Sequence, residues 1–233
     1  MERLDKAFSS CKIKSRTEIT KIIRSGNVSV NGVIVKNPAQ KINTQTDEVL
    51  MFGNKVEFKK FVYIMLNKPN GVISASEDGN QPTVIDILPP SYKREGLFPC
   101  GRLDKDTVGL VIITDDGVSA HKRLSPKNHA EKVYYFEVLE PVSEEVRLEI
   151  EKGVLLKDGY LTKPCKVELL TEKSGNITLT EGKYHEIKRI FGAKSNKITY
   201  LKRISFAGIT LCETLKEGEA RYLTQEEEKI FIE

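Results

Sequence analysis

Apolar positions change their spacing several times along the chain, and each change marks an element. Leu4, Ala7 and Phe8 recur at helical spacing and predict a short helix over 2–10. Ser15 and Glu18 form a capping box, a serine followed three residues later by a glutamate, which opens a second helix over Arg16 to Arg24. Ile19, Ile22 and Ile23 form its apolar face, Arg16, Lys21 and Arg24 project elsewhere, and Ser25-Gly26 stops it. The period then drops to two in Val28-Ser29-Val30. Asn31-Gly32 supplies the two positive-φ positions of a tight hairpin before Val33-Ile34-Val35. Residues 36–45 read as a loop, and Val49 to Phe52 as another strand.

Beyond a junction at Glu57 to Phe61 the pattern becomes strand-rich. VYIMLNKPNGVISA predicts a buried strand, a Lys-Pro-Asn-Gly turn and a second strand. Thr83 to Leu88 is helix-like and ends at Pro89-Pro90, while the dense apolar run Val108 to Thr114 between two turns predicts a buried strand. Ser119 to Leu124 reads as a short helix ended by Ser125-Pro126, and Lys132 to Leu139 as a strand. Short Val/Ile runs follow at 146–150, 167–170 and 177–179. Gly182 to Phe191 becomes helical after its first residues, with Ile187, Ile190 and Phe191 as the stripe. Strands at 198–204 and 209–211 and a short acidic helix complete the chain. Strands predominate without regular βαβ spacing, so the expected class is α+β with a mixed, mainly antiparallel sheet. The expected division is a small domain over 1–58 and a larger one over 59–233.

Charge sharpens that division. Residues 1–60 hold twelve Lys/Arg against six Asp/Glu, whereas the remaining 173 residues hold 25 against 27. The positive excess is concentrated in the N-terminal quarter, and a polyanion is its natural partner. The four cysteines are far apart with no C-x-x-C pair, and three histidines complete a poor set for a metal, so no metal is expected. No glycine-rich nucleotide-binding stretch is present, which disfavours nucleotide cofactors. The N-terminus lacks an apolar signal core and no run approaches a membrane span, so the expected compartment is the cytoplasm.

Three pieces could carry chemistry. Gly101-Arg102-Leu103-Asp104 places an aspartate two residues after an arginine at the mouth of a buried strand, where a guanidinium could keep a carboxylate ionised. Lys132 and Tyr134 share one strand, and His185-Glu186-Ile187-Lys188-Arg189 opens a helix. Asp106, Asp115 and Asp116 compete with Asp104 on composition. However, Asp115-Asp116-Gly117 has the form of a turn and Asp106 lacks the arginine two residues before it.

The N-terminal stretch RLDKAFSSCKIKSRTEITKIIRSGNVSVNGVIVKNP resembles the alpha-L RNA-binding motif. That resemblance implies structured RNA contacted through the second helix and the hairpin edge, with Arg3, Lys14, Ser15, Arg16, Lys21 and Arg24 as contacts. Such contacts at phosphates position a protein without specifying sequence. LNKPNGVISA, FPCGRLDKDTVGLVIITDDG, SPKNHAEKVYYFEV, EGKYHEIKRIF and GITLCETLKEGEARYLT, in that order, resemble the ribosomal pseudouridine synthases that carry this N-terminal module. The length and the SPKNHAEKVY segment favour the subgroup acting on 16S rRNA of the small subunit. The alternatives are action on 23S rRNA of the large subunit and a non-catalytic rRNA-binding assembly protein.

The resemblance implies Asp104 as the catalytic aspartate, Arg102 as the residue that orients or screens it, Tyr134 as the stacking platform for the target base and Lys188 as the cation paired with the aspartate. It further implies Ile187 and Leu201 as the apolar floor. It implies ribosomal RNA or an assembly intermediate as partner, a monomer, and no cofactor, because the isomerisation neither gains nor loses an atom. A hydrolytic glycosidase would want two acidic residues with distinct roles.

Overall fold

The computed structural model describes residues 1–125 and 130–233. In the N-terminal part, Glu2–Arg3 (β1) lead into Leu4–Ser10 (α1), followed by Arg16–Arg24 (α2), Val28–Val30 (β2), Val33–Ile34 (β3), Lys41–Ile42 (β4), Val49–Met51 (β5) and Asn54–Lys55 (β6). The capping box forms as predicted: the Glu18 amide donates to Ser15 Oγ and the Ser15 amide to Glu18 Oε2. Asn31 and Gly32 take φ of 50° and 80°, the positive pair the hairpin between β2 and β3 requires. Leu4, Phe8, Ile19, Ile23, Val28, Ile42 and Met51 are buried against one another. Each such side chain contributes ~1.5–3 kcal/mol by leaving water. Val56 closes this core, and Phe58 meets Phe8 edge-on at 5.1 Å.

Two expectations fail here for one reason. The first helix starts at Leu4 rather than residue 2, and the stretch 36–45 contains a strand, because β1 pairs with β4 (Glu2↔Ile42, Arg3↔Lys41). That pairing joins segments about forty residues apart, so no local pattern announces it.

The larger part contains Tyr63–Lys68 (β7), Phe98–Cys100 (β8), Val108–Thr114 (β9), Gly117–Leu124 (α3), Lys132–Val138 (β10), Glu144–Lys152 (α4), Lys166–Thr171 (β11), Ser174–Leu179 (β12), Glu186–Ala193 (α5), Ile198–Phe206 (β13), Ile209–Thr210 (β14), Ala220–Tyr222 (β15) and Gln225–Ile232 (α6). Seven strands order as β11-β12-β10-β13-β9-β7-β15, with β14 on β13 and β8 on β9. Among the described residues every pairing in this sheet is antiparallel except that of β13 with β9. The sheet is covered on both faces: Ile64, Leu66, Val111 and Ile113 enter one core, Tyr63, Met65, Leu110 and Ile112 the other. This double burial explains why β9 is a continuous apolar run rather than an alternation.

The Val/Ile run at 146–150 forms the middle of α4, capped by Ser143, whose hydroxyl accepts from the Val146 amide. The second strand expected after the Lys-Pro-Asn-Gly turn reduces to one isolated bridge, Ile73↔Thr83. Thr83 to Leu88 makes turns instead of a helix, with the Thr83 amide and hydroxyl both donating to Asp86. Pro126 to His129, which hold the expected stop of α3 and part of the SPKNH segment, lie outside the described residues. Among the described residues no helix is long and apolar enough to cross a membrane.

Candidate active site

A cavity of about 660 Å³ opens where the loop between β8 and β9 meets the start of α5 and strands β10 and β13. Arg102, Asp104, Tyr134, Ile187, Lys188 and Leu201 all line it. Residues up to about 99 positions apart in sequence thus share one space, and the parallel pairing of β13 with β9 is what brings the last of them in. At that pairing Gly109 has φ of +100°, and a Cβ there would lie 2.3 Å from the Arg203 carbonyl oxygen, so only glycine permits the approach.

The loop carrying Asp104 is anchored from beneath. Lys68 is fully buried, and its ammonium donates to the carbonyls of Pro69, Lys105 and Thr107 at 3.0, 3.1 and 2.8 Å. Burial pushes its pKa down to about 8. The Leu103 amide donates to Ser74 Oγ, whose hydroxyl donates back to the Leu103 carbonyl, and the Gly71 amide donates to the Lys105 carbonyl. The Lys-Pro-Asn-Gly turn, legible in the sequence as a turn, therefore also serves as the seat of the aspartate loop.

Asp104 is about a quarter exposed. Its Oδ2 lies 3.0 Å from Lys188 Nζ, and its Oδ1 lies 3.5 Å from His185 Nε2. Lys188 also reaches Asp106 Oδ1 at 2.5 Å. Against burial, which lowers it, these two carboxylates hold the Lys188 pKa above its ordinary value, and Lys188 in turn holds Asp106 below the usual carboxylate range. Asp106 is exposed and does not line the cavity. Asp115 is committed to a buried ion pair with Arg94 at 2.7 Å and to the Val62 amide. Asp116 caps α3 and accepts from the Tyr63 hydroxyl. Among the four aspartates, Asp104 alone faces the cavity.

Arg102 departs from expectation. It lines the cavity but is exposed, and among the described residues it makes no ion pair with Asp104. The cation at the carboxylate is instead Lys188 of α5. Tyr134 is buried on β10 opposite Arg203 on β13. Burial raises its phenol, and the neighbouring Arg203 guanidinium opposes that rise.

Two cavity residues, Arg203 and Glu181, escaped the sequence reading, and Glu186 was named there without a role of its own. Arg203 is 1% exposed, donates from Nε to the Leu110 carbonyl at 2.7 Å, lies 4.9 Å from the Phe206 ring centre and has no carboxylate partner among the described residues. Glu181 accepts from the Tyr160 hydroxyl at 2.5 Å and the Lys163 amide at 2.7 Å. Glu186, 4% exposed, accepts from the Lys183 amide through Oε2, while its Oε1 meets no ordinary donor. Burial first and the facing Glu181 second push Glu186 up to about 7, so it holds a proton more readily than an ordinary carboxyl. Only burial distinguishes these residues, and a sequence does not display it.

The predicted RNA-contact residues divide. Lys21 and Arg24 are exposed on α2. Lys14 lines a groove between the two parts of the chain together with Lys12, Lys93 and Arg94. Arg3 and Arg16 flank the buried Asp5 at 2.7 and 3.3 Å, and the Arg3 guanidinium first, then Arg16 against burial, holds Asp5 down to about 2. The Ser15 hydroxyl is used in the helix cap.

Residues 62–193 match the family described as RNA pseudouridylate synthase, and residues 2–49 match the S4 domain. The uncharacterized RNA pseudouridine synthase YtzG of Bacillus subtilis is 42% identical over 97% of this chain and 96% of its own length. The ribosomal small subunit pseudouridine synthase A of Haemophilus influenzae is 40% identical over 97% of each chain. A crystal structure of a pseudouridylate synthase superposes with a TM-score of 0.70 at 37% identity, covering all of both chains.

Proposed function

The chain belongs to the RNA pseudouridylate synthase family, and from that premise we propose that it isomerises one uridine of small-subunit ribosomal RNA, with Asp104 as the catalytic residue. One observation carries the reading: Asp104, its ion-pair partner Lys188 and Tyr134 border a single cavity. Its volume falls within the range of ~300–1,000 Å³ usual for small-ligand sites.

The reaction breaks the bond from ribose C1′ to uracil N1 and makes a bond from C1′ to C5. C5 gives up its proton and N1 ends with one, so the atoms balance within the substrate. A target uridine must leave its stack to be reached. Tyr134 offers it a ring, and such stacking is worth ~1–3 kcal/mol per base. Ile187 and Leu201 exclude water from the floor, which strengthens the electrostatic interactions above it. Lys188 keeps a positive charge 3.0 Å from the Asp104 carboxylate, close enough to offset charge that changes there during reaction. That carboxylate serves attack at the sugar, attack at the base, or removal of the 2′ proton. Arg102 extends from the same loop toward the RNA rather than toward the carboxylate.

Residues 1–58 form the RNA-docking domain in this proposal and residues 59–233 the catalytic one. Support comes from the apolar core that ends at Val56 and Phe58 and from the basic side chains of Lys14, Lys21 and Arg24. Arg3, Ser15 and Arg16 hold the shape of that surface. The enzyme is proposed to act as a cytoplasmic monomer on rRNA or an assembly intermediate. Mapping pseudouridine in the ribosomal RNA of a strain lacking the protein tests this. One small-subunit position should lose its modification and regain it with the wild-type chain but not with Asp104→Asn. A full small-subunit complement in the deletion strain, or restoration by Asp104→Asn, would refute the proposal.

A further inference from the structure

Tyr184 is 77% exposed between Lys183 and His185, which line the catalytic cavity, yet its ring is not free. It stacks on His185, with ring centres 3.8 Å apart and planes inclined by 18°. A singly exposed tyrosine is ordinary. This one is held in place by the backbone on one side and by the active site on the other. His185 opens α5 in the left-handed conformation, φ 48° and ψ 35°, unusual for a residue with a Cβ. Its imidazole faces Asp104 at 3.5 Å while its ring carries Tyr184. Arg189 donates to the Tyr184 carbonyl at 3.3 Å and pairs with Asp158 at 2.5 Å, which ties down the main chain behind the ring. Lys183 and Lys188 place positive charge on either side in sequence.

A fixed aromatic ring with exposed surface, flanked by cations at the mouth of a site for one flipped base, matches the chemistry of single-stranded nucleic acid platforms. We propose that the Tyr184–His185 stack receives the base of a nucleotide flanking the target uridine. It would hold the unstacked strand at the rim while Tyr134 holds the target inside. Removing a uridine from its helix leaves its neighbour without one stacking partner, and the free surface of Tyr184 supplies a replacement. Recognition by stacking tolerates any base, so the platform would secure the strand without choosing the sequence. This inference rests on the functional reading above and adds a second contact to the same substrate.

The test uses the full-length enzyme and a 16S rRNA transcript labelled with tritium at uridine C5. Because Tyr184 is exposed, its substitution leaves both cores intact. Tyr184→Leu keeps apolar bulk without a ring and should raise KM about tenfold with kcat within about twofold, whereas Tyr184→Phe should match wild type. The chain contains no tryptophan, so Tyr184→Trp introduces a single indole whose emission should fall on RNA binding. Active wild-type enzyme with an unchanged KM in Tyr184→Leu, or indole emission indifferent to bound RNA, would overturn the platform alone. Wild-type enzyme that releases no tritium would overturn the functional reading, and the platform with it.

Discussion

Asp104 and Glu186 line the same cavity in opposite surroundings. Asp104 is partly exposed, sits on a loop and meets an ammonium at 3.0 Å and an imidazole at 3.5 Å. Glu186 is buried at the start of a helix, faces another carboxyl, and is pushed up to about 7 by burial and by Glu181. One carboxyl thus stands beside a cation, and the other is driven toward its protonated form. Lys68 beneath the Asp104 loop and Arg203 beside Tyr134 repeat the lesson with cations. Both are buried, and the hydrogen bonds they donate, three from Lys68 and one from Arg203 Nε, go to backbone carbonyls rather than to carboxylates. In this cavity the number of charged residues says little about chemistry; which of them has an opposite charge within reach says more.

Beyond Asp104 itself, the largest effect is expected at Lys188. Lys188→Met removes the ammonium from the Asp104 wall and should lower single-turnover conversion about 100-fold or more, while RNA affinity measured by filter binding stays within about threefold. Equal losses in both would make Lys188 an RNA contact instead. Next comes the docking surface. Reversing charge at Lys21 and Arg24 together, to Glu, should weaken rRNA binding about tenfold and flatten its salt dependence, with the rate of the saturated complex nearly unchanged. A slower saturated rate would show that the two parts of the chain are coupled in catalysis.

The smallest effect concerns Glu186, and its sign follows from linkage. Its folded pKa is raised above the ordinary carboxylate value of 4.5, so the stability it supports is present below pH 4.5 and is lost as pH rises through about 7. Glu186→Gln keeps an acceptor for the Lys183 amide and supplies a fixed donor toward Glu181. Urea unfolding should therefore find the variant more stable by about 1–3 kcal/mol at pH 8, with the gap closing toward pH 4.5. A gap independent of pH would mean that Glu186 does not titrate above the ordinary carboxylate range in the folded chain.

What could be read from the sequence depended on distance along the chain. The Ser15 cap, the Asn31-Gly32 turn, the span of β9 and the apolar stripe of α5 are local patterns, and each has its expected place. The pairing of β1 with β4 joins segments about forty residues apart and leaves no local trace. Motif resemblance picked out Asp104, Tyr134, Ile187, Lys188 and Leu201, which share one cavity. Spacing alone did not predict the surroundings of Arg102, since residues two apart in a loop need not touch. Arg203, Glu181 and Glu186 acquire their character from burial, and only the folded chain reveals it.

The account turns on which aspartate acts, because Lys188 touches both Asp104 and Asp106 and neutralising it cannot separate them. The direct measurement is tritium release from uridine-labelled 16S rRNA by wild type, Asp104→Asn and Asp106→Asn under single-turnover conditions, with RNA binding measured alongside. Asp104→Asn should bind RNA and release no tritium above background, while Asp106→Asn keeps conversion within about tenfold of wild type. Turnover retained by Asp104→Asn, or abolished by Asp106→Asn alone, would contradict it.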